Sequence, residues 1–193
     1  MSSCGAVERA AEIQERPAAR IRQSPLDEAV RLVAGVDCSY SRQGRHCAAA
    51  VVLWDTRSAA VVETKTLLSE AGFPYIPGLL AFREAPAILK VLGRLSGKPQ
   101  VLICDGHGIA HPRRFDLASH VGLLASLPTI GCGKSRLCGS YAEPASSRGS
   151  SSPLIDLPAA VRVILDCTRG CRLPGPLRLA HRLATEALRR EQS

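Results

Sequence analysis

The order of strand-like and helix-like segments is the feature that most limits the folds open to this chain of 193 residues. Residues 32–37 form a short apolar run that ends in a carboxylate. The runs 47–54 and 59–67 follow, and the turn between them is short enough for an antiparallel hairpin. Strand-like and helical segments then alternate. This order predicts an α/β fold with a mixed sheet flanked by helices.

The other segments are assigned in the same way. Helical spacing or composition predicts helices over 5–22 (broken near Pro17), 79–95 (kinked rather than ended by Pro86), 115–127 and 177–190. Apolar runs predict strands over 100–104, 128–132 and 160–165. Residues 142–152 are rich in turn formers and predict a loop. We expect a single domain over 1–193, in which 1–25 is an N-terminal helical extension.

Charge and composition narrow the class of protein. The net charge of +8 favours a polyanionic partner, chiefly nucleic acid, although a basic protein need not have one. No apolar run approaches the roughly 20 residues of a membrane helix, and the N-terminus lacks the apolar stretch of a signal peptide. We therefore expect a cytoplasmic protein. We also expect a monomer, because nothing in the sequence suggests an extended apolar face. Cys38, Cys104 and Cys132 lie in or beside strand-like runs, which favours reduced structural cysteines over disulfides or zinc.

Carboxylates end two of the apolar runs. Asp37 and Asp105 each follow such a run, and Glu84 lies early in the helix after a proline-rich turn. If the two strands are neighbours, both aspartates point into one crevice, where open α/β sheets bind ligands. Three carboxylates without a Cys/His cluster would suit Mg²⁺ or Mn²⁺ rather than zinc. Taken alone, each is better explained as a solvated loop or cap residue.

Two glycine-containing segments carry further candidates. In the loop DGHGIAHPRR (105–114), two glycines would let the backbone approach a ligand closely. Its two histidines could donate hydrogen bonds or carry protons, and its arginine pair could bind a phosphate. In GCGKSR (131–136), Lys134 could reach a phosphate, but the segment lacks the spacing of a phosphate loop because residue 128 is Pro. The alternative for Lys134 is an ordinary surface lysine.

An aromatic residue lies between two prolines. Tyr75, in PYIPG (74–78), is held at a stiff turn because proline fixes φ. An aromatic side chain held in this way can wedge into a stack of bases. A core aromatic at the start of a helix is an equal alternative.

Several segments together resemble one family. In chain order they are GVDCSY (35–40), PYIPGLLAFREAP (74–86), DGHGIAHPRR (105–114), ASHVG (118–122), PTIGCGKSRL (128–137) and AHRL (180–183). They closely resemble endonuclease V, the family that nicks nucleic acid near deaminated purines. The resemblance is dense from Val33 to Leu137, thin from Ala145 to Pro176, and returns at His181.

The resemblance implies a ribonuclease H-like fold and a set of site residues. Asp37, Glu84 and Asp105 would bind the metal, with His181 and Lys134 as further catalytic residues. Tyr75, together with its neighbours Pro74, Ile76 and Pro77, would form the wedge that separates the two nucleic-acid strands. The pocket for the flipped hypoxanthine would be lined by Leu80, Gly106, His111 and Leu137.

The activity implied is a Mg²⁺-dependent nick, with Mn²⁺ as a possible substitute. The family cuts DNA at the second phosphodiester 3′ to the lesion and leaves 3′-hydroxyl and 5′-phosphate ends. An inosine-specific endoribonuclease is the alternative within the family. A catalytically impaired nucleic-acid-binding relative is disfavoured by the full acidic set, because a binder gains nothing from carboxylates facing phosphates. A junction resolvase is disfavoured by the PYIP wedge and the 105–114 loop.

Overall fold

Five strands and four helices make up the part of the chain that the computed structural model describes, residues 3–23, 25–26, 30–147, 150, 152 and 173–191. The strands are β1 Leu32–Tyr40, β2 His46–Asp55, β3 Ala60–Glu70, β4 Val101–Cys104 and β5 Thr129–Gly131. The helices are α1 Ser3–Ala18, α2 Leu80–Leu92, α3 Leu117–Ala125 and α4 Gly175–Glu191. The predicted strand 160–165 lies outside the described residues.

The strands form one sheet in the order β3-β2-β1-β4-β5. Strands β1, β2 and β3 pair antiparallel, whereas β4 pairs parallel to both β1 and β5. The predicted α/β fold with a mixed sheet is therefore confirmed. The hairpin β2–β3 is also as predicted, and β1 and β4 are neighbours, which meets the condition for a shared crevice at Asp37 and Asp105.

Helices cover both faces of the sheet. On one face, residues such as Val36 and Leu102 form a core with α2 and α3. On the other, Val33 and Ile103 pack against Leu177 of α4. Because successive side chains of a strand point to opposite faces, the odd-numbered residues at the centre of β1 and β4 point toward α4.

Two prolines behave as their positions predict. Helix α1 ends at Ala18, one residue after Pro17, rather than extending to residue 22. Helix α2 runs from Leu80 to Leu92 and continues through Pro86 rather than ending there. The predicted helices 115–127 and 177–190 are observed as α3 and α4 with bounds that differ by one to two residues at each end.

Strand β1 is longer than the sequence pattern indicates. Asp37 was expected to end it, but β1 runs on to Tyr40. The reason is asymmetric pairing: β2 stays paired to β1 as far as Tyr40↔Cys47, whereas pairing with β4 ends at Val36↔Cys104. Asp37 therefore lies within the strand, at the point where β1 loses its parallel neighbour.

Cys38 and Cys104 lie in strands β1 and β4, and Cys132 follows β5. Cys38 and Cys104 are buried and free, and Cys132 is partly buried and free. Within the described ranges, none of the helices has both the length and the apolar character needed to cross a membrane.

Glu63 of β3 anchors the loop after α2. Its carboxylate accepts hydrogen bonds from the amides of Ser96, at 3.0 Å, and Gly97, at 3.1 Å, and pairs with Lys65. These hydrogen bonds, chiefly those from the two backbone amides, lower the pKa of Glu63 to about 2.

We predict that Glu63→Gln lowers the melting temperature at pH 7. A carboxyl group with a lowered pKa stabilises the fold above its unfolded pKa, and this contribution is lost as the pH falls through the folded value. The difference between variant and wild type should therefore shrink between about pH 4.5 and pH 2. Thermal unfolding followed by circular dichroism over this range measures it. Glu70→Gln, an exposed change on the same strand, is the control, and an equal loss in both variants would refute the prediction.

Candidate active site

Parallel pairing of β1 and β4 brings two aspartates together. Val36 lies opposite Cys104, so Asp37 and Asp105 occupy the next level of the two strands. Both numbers are odd, which places both side chains on the face that α4 covers. The crevice expected from the two strand ends is therefore present, with Asp37 buried and Asp105 half-buried.

Helix α4 adds a histidine to this pair. The Nδ1 atom of His181 lies 2.6 Å from Oδ2 of Asp37. One turn later, the hydroxyls of Thr185 and Ser39 are 2.9 Å apart and tie the helix to the end of β1. One donor atom each from Asp37, Asp105 and His181 lie within 4.8 Å of one another, a spacing that a single metal ion could bridge.

Burial and like charge set the electrostatics of the aspartates. Burial, followed by the nearby Asp105 carboxylate, raises the pKa of Asp37 above its usual value. The amide of Cys38, at 2.7 Å from Oδ1, offsets only part of this effect. Nζ of Lys134 lies 2.5 Å from Oδ2 of Asp105, and this hydrogen bond raises the pKa of the lysine. Two carboxylates with oxygen atoms within 4.8 Å of each other favour a bound cation.

Glu84 lies in the same cavity but outside the group of three. It comes from α2 and is buried, with 7% of its surface exposed. Burial, and then the charge of Asp37, raises its pKa to about 9. Within the described residues, the atoms that share the 4.8 Å spacing belong to two aspartates and a histidine rather than to three carboxylates.

A cavity of about 500 Å³ extends from these residues. Six of the eight residues predicted to bind substrate line it: Tyr75, Ile76, Pro77, Leu80, Gly106 and Leu137. All five predicted catalytic residues line it as well: Asp37 from β1, Glu84 from α2, Asp105 and Lys134 from loops, and His181 from α4. Pro74 and His111 are not among the lining residues.

Tyr75 stands at the rim of this cavity. Its side chain is exposed, with a relative exposure of 69%, which excludes the alternative of a core aromatic. The turn beneath it is closed by a hydrogen bond from the Leu79 amide to the Ile76 carbonyl at 3.0 Å, and Gly78 adopts φ +78°. A positive φ is accessible to glycine without strain, which explains the residue at this position.

The two histidines of the 105–114 loop have different environments. His111 is buried, and Nδ1 accepts a hydrogen bond from the Arg113 amide at 3.2 Å. Burial lowers the pKa of His111. His107 lines the cavity instead, and its Nε2 donates to the Ser135 carbonyl at 2.7 Å. The sequence pattern marked both histidines but did not distinguish them.

His107 also explains a glycine in the segment that carries Lys134. A Cβ atom at Gly133 would lie 2.4 Å from Nε2 of His107, so a larger residue would displace the ring. On its other side, Nδ1 of His107 is 3.9 Å from Oδ2 of the buried Asp116. His107 and Asp116 line the cavity and were not singled out from the sequence as pocket residues. The only sequence feature that pointed to them was the high density of polar residues in and beside the 105–114 loop.

Comparisons with known proteins identify the family. A family profile described as Endonuclease V matches residues 15–156, more than half of the chain. This chain belongs to the endonuclease V family. Endonuclease V from Nostoc punctiforme is 40% identical, with 86% of this chain and 87% of the relative covered. The family consists of nucleases, and the chain is an enzyme of that class.

Solved structures of endonuclease V share the fold. The crystal structure of the Streptomyces avermitilis protein is 34% identical, covers 96% of this chain and 94% of its own, and gives a TM-score of 0.83. That of the Ciona intestinalis protein, in complex with a 23-mer DNA containing an inosine followed by a ribo-adenosine, is 22% identical. It covers 98% of this chain and 99% of its own, with a TM-score of 0.82. The ribonuclease H-like fold implied by the resemblance is thus confirmed.

Proposed function

We propose that this chain is a Mg²⁺-dependent endonuclease that nicks DNA at deaminated purines, with hypoxanthine as the principal lesion. In this proposal the enzyme cuts the second phosphodiester 3′ to the lesion and leaves 3′-hydroxyl and 5′-phosphate ends, as a step of DNA repair. The observation that carries the proposal is the group Asp37, Asp105 and His181, which lies in the cavity that Tyr75 borders. Family membership, and the inosine-containing DNA bound by the Ciona intestinalis relative, support the substrate.

The donor set fits a hard divalent cation. Mg²⁺ and Mn²⁺ prefer carboxylate oxygens, which Asp37 and Asp105 supply. Burial, and then the like charge of Asp105, raises the pKa of Asp37, and a bound cation would offset both effects. Asp37 and Asp105 would hold the ion, and Glu84 would join them after losing the proton that burial retains. A bound divalent ion supplies Lewis-acid polarisation of the phosphodiester and lowers the pKa of a coordinated water.

The protein residues supply positioning and charge. Lys134 is cationic in its pair with Asp105 and would turn to the scissile phosphate, where it would stabilise the negative charge of the transition state. His181 is held at Nδ1 by Asp37, and its half-exposed ring would orient a water molecule or carry a proton. Leu80, Gly106 and Leu137 would form the apolar lining that receives the flipped base. Flipping costs a few kcal/mol and least at a mispaired base, which is one source of selectivity.

An end-labelled nicking assay tests the proposal. We expect cleavage of duplex DNA with a single inosine in Mg²⁺, none in EDTA, and little on the same duplex without the lesion. An RNA substrate with inosine is the second arm, and preferential cleavage there would establish the endoribonuclease alternative. No cleavage of either substrate in Mg²⁺ or Mn²⁺ would refute an active nuclease.

We predict that Tyr75→Ala weakens binding to inosine-containing duplex about tenfold or more, because stacking on an aromatic ring contributes about 1–3 kcal/mol per base. Binding to undamaged duplex should change less, since it depends chiefly on phosphate contacts. Fluorescence anisotropy with catalysis suppressed by EDTA or Ca²⁺ measures both affinities. Tyr141→Ala, another exposed tyrosine, is the matched control. Equal loss on both duplexes would show that Tyr75 has only a structural role.

A further inference from the structure

A buried glutamine on α1 connects the N-terminal helix to the cavity. Gln14 has no exposed surface. Its Nε2 donates to the carbonyls of Gly78 and Phe115, both at 3.1 Å, and its Oε1 accepts from Nε of Arg113 at 2.6 Å. Both amide hydrogens and the amide oxygen therefore have partners, in two segments that are distant from α1 and from each other along the chain.

These partners belong to two walls of the cavity. Gly78 ends the turn that presents Tyr75, and it lines the cavity itself. Arg113 belongs to the loop between β4 and α3, whose residues Gly106 and His107 line another part of the cavity wall. The Gly78 carbonyl also accepts from Nη2 of Arg113 at 2.8 Å, so one carbonyl binds both side chains. The group Gln14, Arg113 and Gly78, here called the α1 node, thus joins the two walls.

The orientation of α1 indicates that the node is specific rather than incidental. Ala10 and Gln14, one turn apart, are buried, whereas the neighbouring Ile13 is 44% exposed. A helix held only by apolar packing would bury the isoleucine and expose the glutamine. The opposite arrangement is favourable here because Gln14 donates to two backbone carbonyls and accepts from Arg113, so its buried amide is fully hydrogen-bonded.

We propose that Gln14 is a positioning residue for lesion recognition: through the α1 node it fixes the Tyr75 turn relative to the pocket. The inference rests on the proposed function for its link to lesions. The turn itself is short, and Tyr75 at its tip is exposed, so its position depends on its base at Gly78. A fully hydrogen-bonded buried network of this kind rigidifies the segments it joins, and removing Gln14 takes away three of its four hydrogen bonds and leaves only that from Arg113 to the Gly78 carbonyl.

Exchange of the Leu79 amide tests the positioning without any substrate. This amide donates to the Ile76 carbonyl and so reports directly on the turn. In Gln14→Met, which keeps side-chain length but removes all three hydrogen bonds, we expect exchange about tenfold faster. Gln100→Met is the control, since Gln100 accepts hydrogen bonds from the Arg31 and Leu32 amides at the far end of β1. It should leave the Leu79 amide unchanged.

Lesion discrimination is the second readout. We expect Gln14→Met to raise KM for inosine-containing duplex about tenfold while kcat at saturation changes less than threefold. If Gln14 acts through the turn, Gln14→Met combined with Tyr75→Ala should lose little more discrimination than Tyr75→Ala alone. A residue that is merely structural would give additive losses.

The outcomes separate this inference from the proposed function. Unchanged Leu79 exchange in a folded Gln14→Met protein, or additive losses with Tyr75→Ala, would overturn the role of Gln14. If Gln14→Met does not fold, Gln14→Glu, which keeps the acceptor for Arg113 but lacks both donors, takes its place. Failure of both to fold would show that Gln14 serves stability and would overturn the inference. Wild-type protein that does not nick inosine substrates refutes the proposed function, while the exchange result still decides whether the node positions the turn.

Discussion

Asp37→Asn should abolish nicking of an inosine-containing duplex, with a loss of at least about a thousandfold in kcat. The expected size follows from the several kcal/mol that a bound metal contributes to the transition state, since about 1.4 kcal/mol corresponds to a factor of ten. The amide keeps the shape of the side chain but removes the negative charge that would bind the ion. Single-turnover nicking with excess enzyme measures the loss, and titration with Mn²⁺ by calorimetry should show weakened metal binding.

The stability of the same variant should not fall. Burial and the neighbouring Asp105 raise the pKa of Asp37, which means that its charge is unfavourable in the folded protein without metal. In EDTA at pH 7, Asp37→Asn should therefore melt no lower than wild type. An inactive variant of full stability would place the defect in the site and not in the fold.

A matched control is available on β2. Asp55 is as buried as Asp37, each with 6% of its surface exposed, but it pairs with Arg31 at 2.7 Å away from the cavity. Asp55→Asn should lose stability and keep its nicking activity. Nicking by Asp37→Asn at a rate within tenfold of wild type would contradict the metal-binding role. Inactivity of the Asp55 variant under conditions where it is folded would show that the assay does not separate the two effects.

The meeting of Asp37 and Asp105 could be predicted because it depends on regular structure. Parallel neighbours place equivalent strand positions at one edge of a sheet, and the apolar runs located both aspartates. The misplaced strand end at Asp37 did not alter this outcome, since the register Val36↔Cys104 decides which residues meet. The position of His181 followed from the resemblance, and the close approach of α4 explains it physically.

Residues of irregular segments could not be placed from sequence. His107 and His111 are four positions apart in a loop without periodicity, so no pattern indicates which ring faces the cavity and which is buried. Gln14 lies in a regular helix, but there the pattern favours the wrong residue. Hydrophobicity favours Ile13 as the inward residue, and Gln14 is buried instead because it donates to carbonyls of two distant loops. The raised pKa of Glu84 depends on burial within the assembled site, which the sequence does not report.

The close approach of α4 to the sheet depends on Gly35, at the centre of β1. A Cβ atom there would lie 2.5 Å from the carbonyl carbon of Pro176 and 2.6 Å from the amide nitrogen of Leu177. Both are backbone atoms, so a change of rotamer cannot relieve the clash and the whole start of α4 must shift. His181 lies less than two turns further along the same helix, and its contact with Asp37 at 2.6 Å would be lost with that shift.

Gly35→Ala should therefore destabilise the protein and disable the site together. We expect a loss of about 3 kcal/mol, at the upper end for overpacking, and a melting temperature lower by about 6–12 °C for a chain of this size. Nicking measured well below the new melting temperature should fall at least about tenfold, because His181 is displaced from Asp37 even in folded molecules. Gly72→Ala is the matched control, since a Cβ atom at Gly72 would meet nothing within 4 Å. Wild-type stability and activity in Gly35→Ala would mean that α4 can adjust without cost, and that its close contact with β1 does not set the geometry of the site.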